Sequence, residues 1–118
     1  MNLDYLLVLL NEIEIDNTGQ EKKQSLESHL KRLVENIFKL QYWELETGRN
    51  YKYWQAMVSN SRHDIQKLVQ FSPTLRRYME QIYPELYQDA INLCQIEFYI
   101  PQNMSIGLEE ILDNNYFG

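Results

Sequence analysis

The sequence predicts an all-α chain: an up-and-down four-helix bundle with a kinked or broken fourth helix and a short C-terminal helix. Three observations carry that expectation. Apolar residues recur at three- and four-residue steps along most of the chain. No stretch alternates at period two for long enough to make a strand. Gly and Pro are scarce, 4 and 3 in 118 residues, whereas an all-β domain needs many turns and the residues that make them.

The first predicted helix covers Leu3 to about Ile15. Leu3, Leu6, Leu7, Leu10 and Ile13 form its stripe, Asn2 can cap it, and Asp4 suits the positive end of the helix dipole. Asp16-Asn17-Thr18-Gly19 is turn chemistry and is expected to end it. A second helix is expected from about Gln20 to Glu46, with Leu26, Leu30, Leu33, Val34, Ile37, Phe38, Gln41 and Leu45 on one face. Thr47-Gly48 would stop it, with Gly48 as a left-handed cap. The third helix is expected from near Asn50 to about Phe71, burying Tyr51, Trp54, Val58, Ser61, Ile65 and Leu68.

Ser72-Pro73 is a helix start, with Ser72 as N-cap and Pro73 in the first turn. Leu75, Met79, Ile82, Leu86, Ala90 and Leu93 then continue in one phase through Pro84. An interior proline costs about 3 kcal/mol and removes a hydrogen bond, so a kink or brief break is expected at Tyr83-Pro84. This helix should end around Cys94 to Phe98. A short helix, Leu108 to Leu112, follows a loop, and Tyr116 and Phe117 are expected to pin the tail to the body. Four amphipathic helices joined by short connections bury their stripes against one another. Residues 1–118 are read as one domain.

Composition narrows the function classes. Apolar residues make up 44% of the chain, a globular level. No apolar run approaches the roughly 20 residues that span a bilayer. Leu6 to Leu10 is too short, is preceded by no Lys or Arg, and is followed by Asn11, Glu12 and Glu14 rather than a cleavage site, so neither a signal peptide nor membrane association is expected. The single cysteine, Cys94, excludes an intramolecular disulfide and a Cys-based zinc site. A cytoplasmic location follows as the default. The net charge of −6 argues against generic polyanion binding. Its distribution is uneven, however: residues 36–77 carry 3 acids and 7 bases, and residues 78–118 carry 7 acids and no base.

Several short runs carry a family resemblance. They are Leu9-Leu10-Asn11-Glu12-Ile13-Glu14, Leu26-Glu27-Ser28 and Lys39-Leu40-Gln41-Tyr42, then Ser72-Pro73-Thr74-Leu75, Glu85-Leu86-Tyr87-Gln88-Asp89-Ala90 and Leu108-Glu109-Glu110-Ile111-Leu112-Asp113. In this order and spacing, from about Leu3 to Phe117, the chain resembles a bacterial family abundant in cyanobacteria and catalogued as a domain of unknown function, number 29. The resemblance implies an all-α fold and a cyanobacterial source, and it transfers no activity. Where the family often has His and Trp in the stretch before Gln41-Tyr42, this chain has Asn36 and Leu40. Chemistry built around that histidine is therefore not expected here.

No constellation points to catalysis. Nucleophile elbows and Gly-rich phosphate loops are absent. His29 and His63 lack carboxylates at ligand spacing on their own helices, and they read as boundary or surface residues. Glu12, Glu14 and Glu35 would converge on antiparallel helices, and with His29 they form the weakest candidate, a metal or hydrolytic site. The plainer reading makes them solvated helix faces. No catalytic residue, resident metal or cofactor is expected.

The stretch from Lys39 to Lys67 is more informative. Its aromatics, Tyr42, Trp43, Tyr51, Tyr53 and Trp54, are interleaved with Lys39, Arg49, Lys52, Arg62 and Lys67. Aromatics and cations of this kind build protein interfaces, and they also stack on bases and hold phosphates. The leading expectation is a non-enzymatic protein-interaction module using Tyr42, Trp43, Arg49, Lys52, Tyr53 and Trp54, with a protein partner that includes a second copy among its candidates. Nucleic-acid association through the same corner is the alternative. The plainest reading places Trp54 and Tyr51 in the core and pairs the bases with the acidic last third.

Overall fold

The computed structural model describes the backbone of residues 3–102 and 104–117, and the side chains of 19–43, 48, 50–102 and 104–117. Four helices are present among these residues: α1 (Leu3–Tyr42), α2 (Glu44–Val69), α3 (Pro73–Cys94) and the short α4 (Leu108–Leu112). The described residues contain no strand.

The first two predicted helices are one. α1 runs through Asp16-Asn17-Thr18-Gly19 without a turn, so three long helices pack together rather than four. The physical reason is cooperativity. Gly costs about 1 kcal/mol in a helix interior, and Asp, Asn and Thr somewhat less. Propagating an existing helix costs far less than nucleating a new one. Gly19 does not take up a left-handed backbone there, so nothing turns the chain. The Leu6–Leu10 stripe and Asn2 lie outside the described side chains.

The next break also differs from expectation. α1 ends at Tyr42, one residue leaves the helical conformation, and α2 begins at Glu44. That residue is Trp43, at φ −88° and ψ 68°, close to an inverse γ-turn. Gly48, expected as a cap, lies inside α2. Tertiary packing sets the break, because the Trp43 ring stacks on both Trp54, at 5.6 Å, and Phe98, at 5.2 Å.

Side-chain pairs fix the directions. His29 faces Asp64 and Trp43 faces Trp54, so α2 returns antiparallel to α1. The Tyr78 hydroxyl donates to Glu27, and Phe38 meets Tyr87 edge-on at 5.6 Å, so α3 runs parallel to α1. Leu26, Leu30, Leu33, Val34, Ile37 and Phe38 of α1 are fully buried against Trp54, Val58 and Ile65 of α2 and Leu75, Met79, Ala90 and Cys94 of α3. Ser72 caps α3 as expected, its Oγ accepting from the Leu75 amide at 3.2 Å. The helix then continues through Pro84 without a break. Buried residues on both sides, Met79 and Tyr83 before it and Ala90 and Cys94 after it, hold the two halves in one phase.

The remaining side of the core is closed by the chain beyond α3. Ile100, Ile106 and Ile111 are buried, and Leu108, Leu112, Tyr116 and Phe117 pack half-buried against them. This strap lies between α2 and α3. From the α3 side, the Tyr83 hydroxyl donates to the Ile106 carbonyl at 2.7 Å. From the α2 side, Arg62 donates to the carbonyls of Ile111 and Tyr116, at 3.0 and 2.7 Å. No helix among the described residues is long and apolar enough to cross a membrane.

Candidate functional site

The aromatic corner lies at the end of the bundle where α1 stops, α2 starts and α3 stops. Helical spacing explains how its residues divide. Trp54 shares a face with Val58, Ser61 and Ile65, and it is only 4% exposed. Trp43, half-buried, spans from Trp54 to Phe98 and forms the floor of the corner. Tyr42 is half-buried beneath the strap, and its hydroxyl donates to the Met104 sulfur. Burial, with the nearby Tyr116 phenol adding to it, raises the pKa of Tyr42. Lys52 and Tyr53 point out, Tyr53 being 63% exposed. The Arg49 side chain lies outside the described residues. The corner is thus a stacked indole platform carrying an open lysine and an open tyrosine.

Three neighbours on the other side of the platform escaped the sequence reading. Leu93 is half open, Ile96 is 80% exposed and Tyr99 is 78% exposed. They flank Phe98, which stacks on Trp43. Leu93 was expected on the buried stripe of α3; Cys94 takes the core position instead. The available signal was the run Ile96-Glu97-Phe98-Tyr99-Ile100, apolar beyond what a loop needs. Tyr51, expected in the core, is 43% exposed and accepts a hydrogen bond from Gln55.

Arg62 departs furthest from the expected basic surface. It is 1% exposed. Its guanidinium lies over the Phe117 ring, 5.5 Å from the centroid, while holding the two strap carbonyls. Burial lowers its pKa, and Asp113 opposes that shift. A cation so placed holds the strap and is closed to phosphates.

The weakest candidate, the carboxylate and histidine site, does not come together among the described residues. His29 Nδ1 lies 3.8 Å from Asp64 Oδ2, across the α1–α2 interface. No three His, Cys, Asp or Glu side chains among the described residues are placed to hold a metal ion. Glu12 and Glu14 lie outside the described side chains. Cys94 is buried, and desolvation pushes its thiol pKa up to about 12, aided by Glu35, which keeps it a poor nucleophile. A groove of about 400 Å³ between α1 and α3 is lined by Glu27, Lys31, Ile82, Glu85, Leu86 and Asp89. It pairs an apolar floor with a charged rim and offers no acid–base pair of distinct environments.

A family model described as "Domain of unknown function DUF29" matches residues 4–117. The chain belongs to the DUF29 family. No curated protein and no solved structure matches it. Asn36 and Leu40, the two positions at which the resemblance implies a His and a Trp, are core positions. Asn36 is buried and donates to the Arg32 carbonyl at 2.8 Å, and Leu40 is buried in the cluster around Phe38.

Proposed function

We propose that this DUF29 chain is a non-enzymatic helical interaction module that engages a protein partner through the bundle end around Trp43. One observation carries the reading. Of the six large apolar side chains that stand open among the described residues, five (Tyr51, Tyr53, Leu93, Ile96 and Tyr99) lie at that end. Apolar side chains scattered singly need no explanation, whereas a concentration of them marks a partner surface. Lys52 and Tyr53, both exposed, supply the polar and aromatic character that interfaces favour. Tyr42, Trp43 and Trp54 act in this reading as the rigid support behind them.

Nucleic-acid association needs open aromatic faces beside free cations. Its support is the outward side of α2, where Lys52, His63 and Lys67 are exposed. The indoles of Trp43 and Trp54 are engaged with one another, which favours the protein reading. We take the chain as a single helical domain working in the cytoplasm, in keeping with its lone cysteine, and in a cyanobacterial cell, in keeping with the resemblance.

The test is affinity purification of the tagged chain from a cyanobacterial host, with and without nuclease, alongside Tyr99→Lys. A stoichiometric protein that survives nuclease and is lost with Tyr99→Lys is the expected result. Partners that vanish on nuclease treatment would move the reading to nucleic acid. An unchanged set of partners in the variant would remove this surface from consideration.

A further inference from the structure

We propose that the partner seated on the bundle end is a second copy of this chain, the two related by a two-fold axis. The inference rests on the interaction-module reading and names its partner. The patch has two halves on either side of Trp43. On one side α2 presents Lys52 and Tyr53; on the other, the end of α3 and the turn after it present Leu93, Ile96, Glu97 and Tyr99. The ring of Trp43 lies 5.6 Å from Trp54, next to Tyr53, and 5.2 Å from Phe98, next to Glu97 and Tyr99. The two halves therefore belong to one end of the molecule.

Each half offers apolar surface and one charge, and the charges are opposite. Neither Lys52 nor Glu97 makes an ion pair among the described residues. A two-fold axis that passes between the two halves, across the line joining them, sets each half against the other half of the partner, since residue i then meets j and j meets i. Lys52 of one copy then meets Glu97 of the other, twice per dimer, and Tyr53 packs against Ile96 and Tyr99. An unrelated partner would have to reproduce this arrangement; a second copy already carries it.

The area agrees. Tyr53, Leu93, Ile96 and Tyr99 together leave open roughly two and a half full side chains, about 500 Å² at ~200 Å² for a large side chain. Two such patches bury about 1,000 Å², the lower edge of a specific interface. That size predicts a reversible dimer rather than an obligate one. The net charge of −6 opposes self-association, and salt near 0.15 M shortens that repulsion to about 8 Å.

The experiment is sedimentation velocity on the full chain over a concentration series in such salt. A monomer–dimer equilibrium is expected. Tyr99→Lys should abolish it while the helical circular dichroism stays unchanged, since the side chain is open. Lys52→Glu and Glu97→Lys should each weaken association by about tenfold, and the double swap should restore most of it. Monomer at every concentration, or a double swap no better than the singles, overturns the proposal. A photo-crosslinker in place of Tyr99, used in the host cell, separates the two readings. A crosslinked dimer supports the second copy. A crosslink only to another protein overturns the second copy and leaves the interaction surface standing, and no crosslink to any protein removes both.

Discussion

Arg62 on α2 and Tyr116 in the strap, 54 residues apart, are joined by a 2.7 Å hydrogen bond from guanidinium Nη2 to the main-chain carbonyl. The same guanidinium donates from Nε to Ile111. One buried cation therefore satisfies two carbonyls that would otherwise be shut away from water. Arg62→Ala should lower the unfolding free energy by about 2–4 kcal/mol, since each orphaned carbonyl costs roughly 1–3. Urea denaturation measures the loss. Hydrogen exchange should show it first in the amides of residues 108–117; uniform acceleration along the whole chain would contradict the local role of the clamp.

Trp43 makes two stacking contacts and closes the α1–α2 junction. Trp43→Ala should cost about 2–3 kcal/mol, from two aromatic contacts of ~0.5–1.5 kcal/mol each and the lost burial. The domain should remain folded at 25 °C with a lower thermal midpoint and a diminished near-ultraviolet dichroism. A variant as stable as the parent would mean that the stack does not set the break.

Gly19 separates a turn from a continuous helix. Its backbone is helical, and a Cβ placed there meets nothing within 4 Å. Gly19→Ala should therefore stabilise the chain by up to about 1 kcal/mol. A loss of stability would show that residue 19 needs a conformation reserved for glycine, and would restore the turn expected from Asp16-Asn17-Thr18-Gly19.

Pro84 sits inside α3 with its ring exposed. Pro84→Ala returns an amide able to donate to the carbonyl of Glu80 and relieves a cost of up to about 3 kcal/mol. The expected outcome is a rise of roughly 1–3 kcal/mol in unfolding free energy. A fall would mean that the proline serves the packing.

Alkaline pH should weaken the fold. Burial pushes the Cys94 thiol from 9.0 up to about 12. Burial likewise raises the Tyr83 phenol above 10.0. The unfolded chain releases these protons earlier than the folded one, so it binds fewer protons above pH 9 and stability falls as pH rises. The contribution is complete below pH 9 and declines through about pH 12. Urea midpoints at pH 7, 9, 10 and 11 should drop stepwise above 9, and iodoacetamide should label Cys94 only once the chain unfolds. A flat profile from pH 8.5 to 11 would contradict it.

Much of the core was legible because its signals are local and periodic. Leu26, Leu30, Leu33, Val34, Ile37 and Phe38 keep strict three- and four-residue steps, and all are fully buried. Ser72-Pro73 caps α3 as read, and the last helix spans Leu108–Leu112. What failed was decided at a distance. The Asp16–Gly19 run has turn chemistry, yet a helix propagates through it at modest cost. The break at Trp43 has no breaker residue; it depends on Phe98, 55 positions away. Arg62 looks like a surface cation until the carbonyls of Ile111 and Tyr116 arrive beside it. In the candidate site, Tyr53 and Lys52 were legible because they sit off the α2 stripe. Ile96 and Tyr99 were not, because helical spacing says nothing beyond a helix end.

The strap also sets a clock on synthesis. α1 and α2 are neighbours in sequence and can form their hairpin as soon as both exist, but the cleft beside Arg62 stays open until the segment through Tyr116 has been made. At about 5–20 residues per second, those 54 residues take roughly 3–10 s. Throughout that interval the nascent chain carries an uncovered apolar seam beside a guanidinium that water alone satisfies. A ribosome stalled between Cys94 and Ile106 would leave a helical intermediate that is sticky and cannot mature, the form that cellular quality control is built to find.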